Sequence, residues 1–241
     1  MIPMSTLFLA LGPVLGSLLL VGMAAAQPAP ANPATGVGRV FSAGLDKLGL
    51  VFKGIGSLAG GDETGAVWRV DLRTGEKRRI GVSSDLAWPV PSFDGAAVFA
   101  LQGRQVVRIS VTSGHESPFG LPADWRKLVG VLPDGTVLGF VEDDPRPRPA
   151  FLVPDGKRVE LPLPADEAER RRNGALLQQG RDYADGARLE VRESQRGGRG
   201  RDIFLINGAE SRNLTDCGDD YCAQPSRSAD GATVFFVQRS R

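Results

Sequence analysis

The residues of this sequence best suited to acid–base chemistry are a single histidine and two groups of carboxylates. The histidine is His115, and the carboxylates are Glu142, Asp143 and Asp144 in one group and Asp216, Asp219 and Asp220 in the other. Paired carboxylates could serve glycosidic acid–base chemistry, and clustered carboxylate oxygens could bind Ca²⁺. His115 could join a Ser-His-Asp arrangement, because the members of such a triad meet only in space.

Each of these residues also has a simpler interpretation. Both carboxylate groups lie in predicted turns, where aspartate is common because it bonds the backbone. No G-x-S-x-G motif accompanies His115. The stretch GIGSLAG (54–60) matches a dinucleotide-binding pattern, but it continues into glycines and β alternation where that pattern needs a helix. We therefore expect no catalytic residue, no metal site and no cofactor.

Arginine is the more suggestive residue type, because 24 of the 29 basic residues are arginine. The glycine-rich loop RESQRGGRGRD (192–202) and the C-terminus hold the candidate binding residues, which are Arg192, Arg196, Arg199, Arg201, Arg239 and Arg241. Guanidinium groups suit carboxylates and phosphates, so the expected partner is a protein or an anionic glycan. A solvated loop is the alternative interpretation. Nucleic acid is disfavoured, because the sequence lacks an aromatic stacking series. We interpret Trp68, Trp88 and Trp125 as packing residues.

Cys217 and Cys222 are the only cysteines. A disulfide between them would suit an exported protein, because thiols pair in oxidising compartments. Two free thiols and half of a metal site are the alternatives, but a zinc site needs four ligands and His115 is the only histidine.

The N-terminus predicts export. Residues 1–26 carry no charge and end in three alanines after an apolar run, as a secretory signal does. An uncleaved anchor is the alternative, although the run is shorter than the roughly 20 residues of a membrane span. Residues 27–36 are interpreted as a proline-containing linker and residues 37–241 as the folded domain. We expect a periplasmic or secreted protein with no membrane span after cleavage.

Composition favours a soluble, turn-rich, all-β domain. The chain is 41% hydrophobic and 24% charged, with 31 glycines and 17 prolines. Its 29 basic and 28 acidic residues nearly cancel, so no global field attracts nucleic acid or an anionic membrane.

An internal repeat organises the domain. Asp-Gly recurs at 94–95, 134–135, 185–186 and 230–231, each time before an apolar strand. A second strand and a glycine turn follow, ending at Gly114, Gly156 and Gly208, with an earlier copy at Gly75. The interval from glycine turn to next Asp-Gly is 19, 20 and 22 residues in three cases and 29 in the fourth. The long interval holds PADEAERRRNG (164–174), which predicts one short surface helix.

Units of 40 to 50 residues with three or four strands are typical of β-propeller blades. The sequence predicts about five blades, made of four complete units and a half that N-terminal strands complete. The degenerate first unit begins with a strand at 48–52. We expect strand 233–238 to lie beside an N-terminal strand such as 36–41 or 66–72, which would protect its exposed edge. Completion by another subunit is the alternative.

The repeat resembles the WD40-like Asp-Gly repeats of TolB-type propellers. The resemblance is strongest over 181–241. The pattern there consists of a proline, Asp-Gly, an apolar strand, I-F-L-I-N, a glycine turn and N-L-T. It implies a propeller fold. The expected function is a non-enzymatic scaffold of the cell envelope that binds a protein or another ligand, and the alternative is a hydrolase or lyase acting on a glycan or peptide in the central channel.

Overall fold

The computed structural model describes residues 63–141, 148–160, 181–183, 185–195 and 199–241, and these residues form β-strands joined by turns and loops. The strands are β1 (Ala66–Asp71), β2 (Lys77–Ile80), β3 (Leu86–Pro91), β4 (Ala97–Gln102), β5 (Gln105–Ser110), β6 (Glu116–Pro118), β7 (Trp125–Val131), β8 (Val137–Val141), β9 (Arg148–Leu152), β10 (Arg158–Glu160), β11 (Arg181–Asp182), β12 (Ala187–Glu193), β13 (Arg201–Asn207), β14 (Glu210–Asn213), β15 (Tyr221–Arg227) and β16 (Thr233–Arg239). The all-β class predicted from composition is confirmed.

These strands form antiparallel groups of four. Strands β3 to β6 make one sheet and β7 to β10 another. A third, eight-stranded sheet contains two groups, which are β11 to β14 and the set β15, β16, β1 and β2. A parallel bridge between Arg201 and Tyr221 joins those two groups. Each group therefore has the four-stranded, meander-like form of a propeller blade.

The last group combines both ends of the described chain. Strand β1 pairs with β16 along its whole length, from Ala66 opposite Gln238 to Asp71 opposite Thr233. The predicted pairing of the C-terminal strand with 66–72 is thus confirmed. The pairing satisfies the backbone groups of β16, which would otherwise form an open edge. Gly65 is required at the entry to β1, because a Cβ there would lie 2.5 Å from the carbonyl oxygen of Gln238.

The Asp-Gly turns have the geometry that their sequence predicts. The four glycines have φ between 71° and 85°, a region that glycine adopts without a steric penalty. In each turn the aspartate carboxylate accepts the backbone N–H two residues later, at 2.9 to 3.0 Å. Ser92 and Ser228 donate to Asp94 and Asp230, which strengthens the first and last of these turns. The turns therefore fix where each second strand begins.

Because of these hydrogen bonds, we expect the free energy of unfolding to fall in acid. The Ser92 hydroxyl and the Ala96 amide hold the pKa of Asp94 below its usual value, and Ser228 and Ala232 do the same for the pKa of Asp230. A lowered pKa stabilises the folded state fully above the unfolded pKa of about 3.9, and this contribution is lost as pH falls through the folded pKa. We expect the urea midpoint to fall as the pH drops from about 5 to below the unfolded pKa of about 3.9. The variant Asp94→Asn/Asp230→Asn should show a smaller fall, and an equal fall would contradict this origin.

Three buried clusters connect the groups. Val67 and Phe235 of the last group pack with Val98 and Ile109 of the β3–β6 sheet. A second cluster joins that sheet to the β7–β10 sheet. A third cluster joins the β7–β10 sheet to both groups of the eight-stranded sheet. Because every group buries its faces against neighbouring groups, the arrangement is that of a β-propeller.

The described residues account for four groups of strands, whereas the repeat predicts about five blades. The predicted first strand at 48–52, the signal segment 1–26, the linker 27–36, GIGSLAG (54–60) and the predicted helix 164–174 all lie outside the described residues. Within the described ranges, no helix has the length and apolar character needed to cross a membrane.

Candidate functional site

The chain direction gives the domain two distinct ends. The Asp-Gly turns lie at one end, which we call the turn face. The first strands of the groups begin at the other end, together with the connections between groups, and we call this end the loop face. Ser226 Oγ donates to the Pro89 carbonyl at 2.5 Å, so β15 and β3 lie side by side with their ends aligned.

Two matching irregularities lie in the first strands β3 and β15. Trp88 has φ of 52° and Gln224 has φ of 53°, and each interrupts the register with the neighbouring strand. Left-handed conformations are uncommon for residues other than glycine and cost free energy. The Trp88 amide donates to Gln224 Oε1 at 2.6 Å, so each irregularity stabilises the other.

A buried cation lies next to this pair. Lys127, in strand β7, is 3% exposed, and its Nζ lies 4.5 Å from the centre of the Trp88 ring. The indole face offsets part of the cost of burying the ammonium group. Trp88 is thus held between strands, and it differs from Trp125, which is buried in the core.

Glu63 connects strands β3 and β15 to the predicted arginine-rich region. Its backbone carbonyl accepts Gln224 Nε2 at 2.9 Å. Its carboxylate Oε1 lies 4.0 Å from Arg201 NH1, at the limit of an ion pair. Glu63 therefore lies at the loop face, between strand β15 and the start of β13.

Two of the predicted binding residues converge on one aromatic ring. The guanidinium carbons of Arg201 and Arg239 lie 5.8 Å and 5.5 Å from the centre of the Tyr221 ring. Tyr221 pairs with Arg201 on β13 and with Arg239 on β16, so the three side chains form a row across the sheet. We call these three residues the arginine–tyrosine row. It combines two permanent positive charges with a flat aromatic surface at the loop face.

Polar and covalent bonds hold the loop that precedes Tyr221. Cys217 and Cys222 form the predicted disulfide, with 6.3 Å between their Cα atoms. Asp202, which is 1% exposed, accepts hydrogen bonds from the Cys217 amide at 2.5 Å and from Asn213 Nδ2 at 3.0 Å. The Arg201 amide donates to the Asp220 carbonyl at 3.0 Å. Strand β13 and this loop are therefore fixed together, which positions the arginine–tyrosine row.

Of the remaining predicted arginines, Arg192 faces away from the row. Arg192 pairs in register with Asp202, one position away from Arg201, so it projects from the opposite face of the sheet. Its guanidinium donates to Glu190 and Ser211 and stacks on Phe204. Arg199 and Arg241 are exposed, and Arg196 lies outside the described residues.

Among the described residues, those considered for catalysis do not meet. His115 is exposed and follows the Gly114 turn at the turn face, whereas Asp216, Asp219 and Asp220 lie in the loop before Tyr221 at the loop face. Glu142, Asp143 and Asp144 lie outside the described residues. Among the residues that the structure describes, no group of three or more histidine, cysteine or carboxylate side chains is placed to hold a metal ion.

The connections between groups expose two large aliphatic side chains. Val82 is 80% exposed and Leu121 is 81% exposed. Each follows a glycine with positive φ, Gly81 or Gly120, in the connection between two groups, so they occupy equivalent positions in neighbouring repeats. Glu116 accepts the Val82 amide at 2.6 Å. Burial of Glu116 opposes ionisation, but hydrogen bonds from Ser83 and Val82 outweigh it and lower the pKa of this carboxyl, so Glu116 anchors the connection as an anion.

No protein-family model matches the chain, and no curated protein matches it. Comparison with solved structures finds similar chains. A putative TolB from Agrobacterium tumefaciens is 15% identical with a TM-score of 0.36, over 75% of this chain and 62% of that one. An oligogalacturonate lyase in complex with manganese is 17% identical with a TM-score of 0.33, over 72% of this chain and 52% of that one. The chain thus spans less than two thirds of either protein.

The β-propeller domain of the Trilobed protease from Pyrococcus furiosus is 14% identical with a TM-score of 0.33, over 78% of this chain and 80% of that domain. That domain has an open velcro topology. The solved structures similar to this chain therefore include a putative TolB and a β-propeller domain.

Proposed function

We propose that this protein is an exported, non-enzymatic scaffold of the cell envelope that binds an acidic segment of a partner protein at its loop face. The observation that carries the proposal is the arginine–tyrosine row, in which two guanidinium groups flank the Tyr221 ring. Arginine presents a rigid fork of donors that matches carboxylate geometry, and charge-assisted hydrogen bonds are about twice as strong as neutral ones.

A protein partner is favoured over an anionic glycan by the composition of the row itself. Tyr221 lies between the guanidinium groups of Arg201 and Arg239. Tyrosine and arginine are both enriched at protein–protein interfaces and among the residues that contribute most to binding there.

Export and ring closure belong to the same proposal. The uncharged apolar segment at residues 1–26 and the Cys217–Cys222 disulfide support an oxidising compartment such as the periplasm. The pairing of β1 with β16 supports a ring that closes within one chain.

We expect substitution of the two arginines of the row to have a large effect on the affinity for an acidic ligand. The probe is a hexaglutamate peptide whose two ends are capped, so that its only charges are side-chain carboxylates. We expect Arg201→Gln/Arg239→Gln to weaken its binding by about tenfold or more, because both cationic groups of the row are lost. Isothermal titration calorimetry at low salt measures the affinity. Arg73→Gln/Arg108→Gln is the matched control, since it removes the same charge from exposed side chains outside the row.

Three results would contradict the proposal. Equal losses in the two double variants would indicate non-specific attraction by net charge. Equal binding of capped hexaglutamine and capped hexaglutamate to the unmodified protein would exclude recognition of carboxylates. Tighter binding of a hexameric uronate oligosaccharide than of hexaglutamate would assign the site to an anionic glycan instead.

A further inference from the structure

The segment that precedes β1 is fixed at the loop face by its backbone. Gly65 exchanges two hydrogen bonds with Leu86, each at 2.9 Å, and so joins the start of β3. The Glu63 carbonyl accepts Gln224 Nε2 at 2.9 Å. Because Gly65 also lies against the Gln238 backbone, residues 63–65 are held between β3, β15 and β16. The backbone position of Glu63 is therefore determined by three strands.

The carboxylate of Glu63 is poorly bonded compared with its backbone. Its Oε1 lies 4.0 Å from Arg201 NH1, too far for a hydrogen bond. Its Oε2 is buried, and no hydrogen bond to it is formed within the part of the chain that the structure describes. A carboxylate that is removed from water without hydrogen bonds loses free energy of solvation that a distant cation only partly restores. Glu63 is therefore a weakly held anion beside Arg201.

We propose that Glu63 is an internal competitor for the arginine–tyrosine row, so that an acidic group of the partner displaces its carboxylate from Arg201. This inference rests on the proposed function, since it names how the same site selects its ligand. An incoming carboxylate that reaches Arg201 at hydrogen-bonding distance forms the short contact that Glu63 lacks. Glu63 then swings toward solvent, which restores its hydration.

The competitor sets a threshold for binding. A ligand must supply enough negative charge to replace Glu63, so weakly acidic or neutral segments are rejected. The charge of Glu63 also repels an acidic ligand before displacement, and like charges near one cation disfavour joint occupancy. Removal of this charge should therefore raise the affinity for acidic ligands and leave neutral ligands unaffected.

The test compares Glu63→Gln with the unmodified protein, using capped hexaglutamate and capped hexaglutamine in isothermal titration calorimetry. We expect Glu63→Gln to bind hexaglutamate about three- to fivefold more tightly, the change in affinity that a partly exposed ion pair allows. Glu76→Gln is the control, since it makes the same change of charge at an exposed position in the β1–β2 turn. It should change the affinity by less than about 1.5-fold.

A second variant, Glu63→Asp, tests the same inference if Glu63→Gln does not fold. Glu63→Asp keeps the charge but shortens the side chain by one methylene, which moves the carboxylate away from Arg201. It should give a smaller gain in affinity for hexaglutamate, in the same direction.

The outcomes separate the inference from the proposed function. If the affinity is the same for Glu63→Gln and the unmodified protein, while Arg201→Gln/Arg239→Gln still weakens binding, Glu63 is only a structural ion-pair partner and the inference is wrong. Equal gains for Glu63→Gln and Glu76→Gln would also overturn it, because net charge would then explain both. Binding that is insensitive to the two arginines would refute the proposed function itself.

Discussion

Replacement of Phe236 by alanine is expected to lower the free energy of unfolding by about 3 to 5 kcal/mol. Phe236 lies in β16 opposite Trp68 of β1 and is fully buried. Its cluster includes Phe140 from β8 and Ile203 from β13, so one side chain contributes to the packing of three groups of strands. The loss combines the transfer of the aromatic ring to water with the cavity that remains, since a site between rigid sheets collapses poorly.

Phe93→Ala is the matched control for this prediction. Phe93 lies in the first Asp-Gly turn and is 46% exposed, so its truncation should cost less than about 1 kcal/mol. Urea denaturation followed by tryptophan fluorescence measures both variants. Equal losses would show that Phe236 does not join the groups. A change in slope, and not only in midpoint, would show that the substitution alters the surface exposed on unfolding or the two-state character of the transition.

The turns and the closing strand pair could be predicted because their signals are local or topological. Asp-Gly specifies a turn through its own atoms, whatever the rest of the chain does. The half unit at 226–238 lacked outer strands, and an exposed edge requires a partner. The sequence 66–72 was one of two candidates, and β1 fills that position. The disulfide was predictable because only two cysteines are present.

The irregularities at Trp88 and Gln224 were not predicted, although a signal exists. Residues 87–95 and 223–231 share the pattern A-x-P-x-x-S-x-D-G, with Trp88 or Gln224 at the first variable position. The repeat indicates equivalent positions, but it does not specify a positive φ, which tryptophan and glutamine rarely adopt. That conformation depends on the hydrogen bond between the two strands, which forms only in the folded domain.

The candidate site was predicted only in part. Arg201 and Arg239 were identified from their loops, and the structure brings them together on one ring. Tyr221 was not identified, because it is far from both arginines in sequence and reaches them through the parallel bridge to β13 and the pairing with β16. Arg192 was grouped with them from its loop, but the alternation of side chains along β12 directs it to the other face.

Asp202→Ala is expected to lower the free energy of unfolding by about 2 to 4 kcal/mol and to weaken binding at the loop face. The substitution leaves the Cys217 amide and Asn213 Nδ2 without their acceptor. Cys217 is buried, so its amide has little access to water as a replacement partner. The loop before Tyr221 would keep its disulfide and its backbone hydrogen bond to Arg201, but it would lose its bonds to the Asp202 side chain.

Two comparisons separate this effect from a general loss of charge. Asp219→Ala removes an exposed carboxylate from the same loop and should change stability by less than about 0.5 kcal/mol. Asp202→Asn keeps one acceptor oxygen and should lie between the two. Because Arg201 precedes Asp202 directly, Asp202→Ala should also reduce the affinity for hexaglutamate, whereas Asp219→Ala should not. Unchanged stability would show that Asp202 does not fix the loop, and a raised affinity for hexaglutamate would show that its charge acts only by repelling acidic ligands.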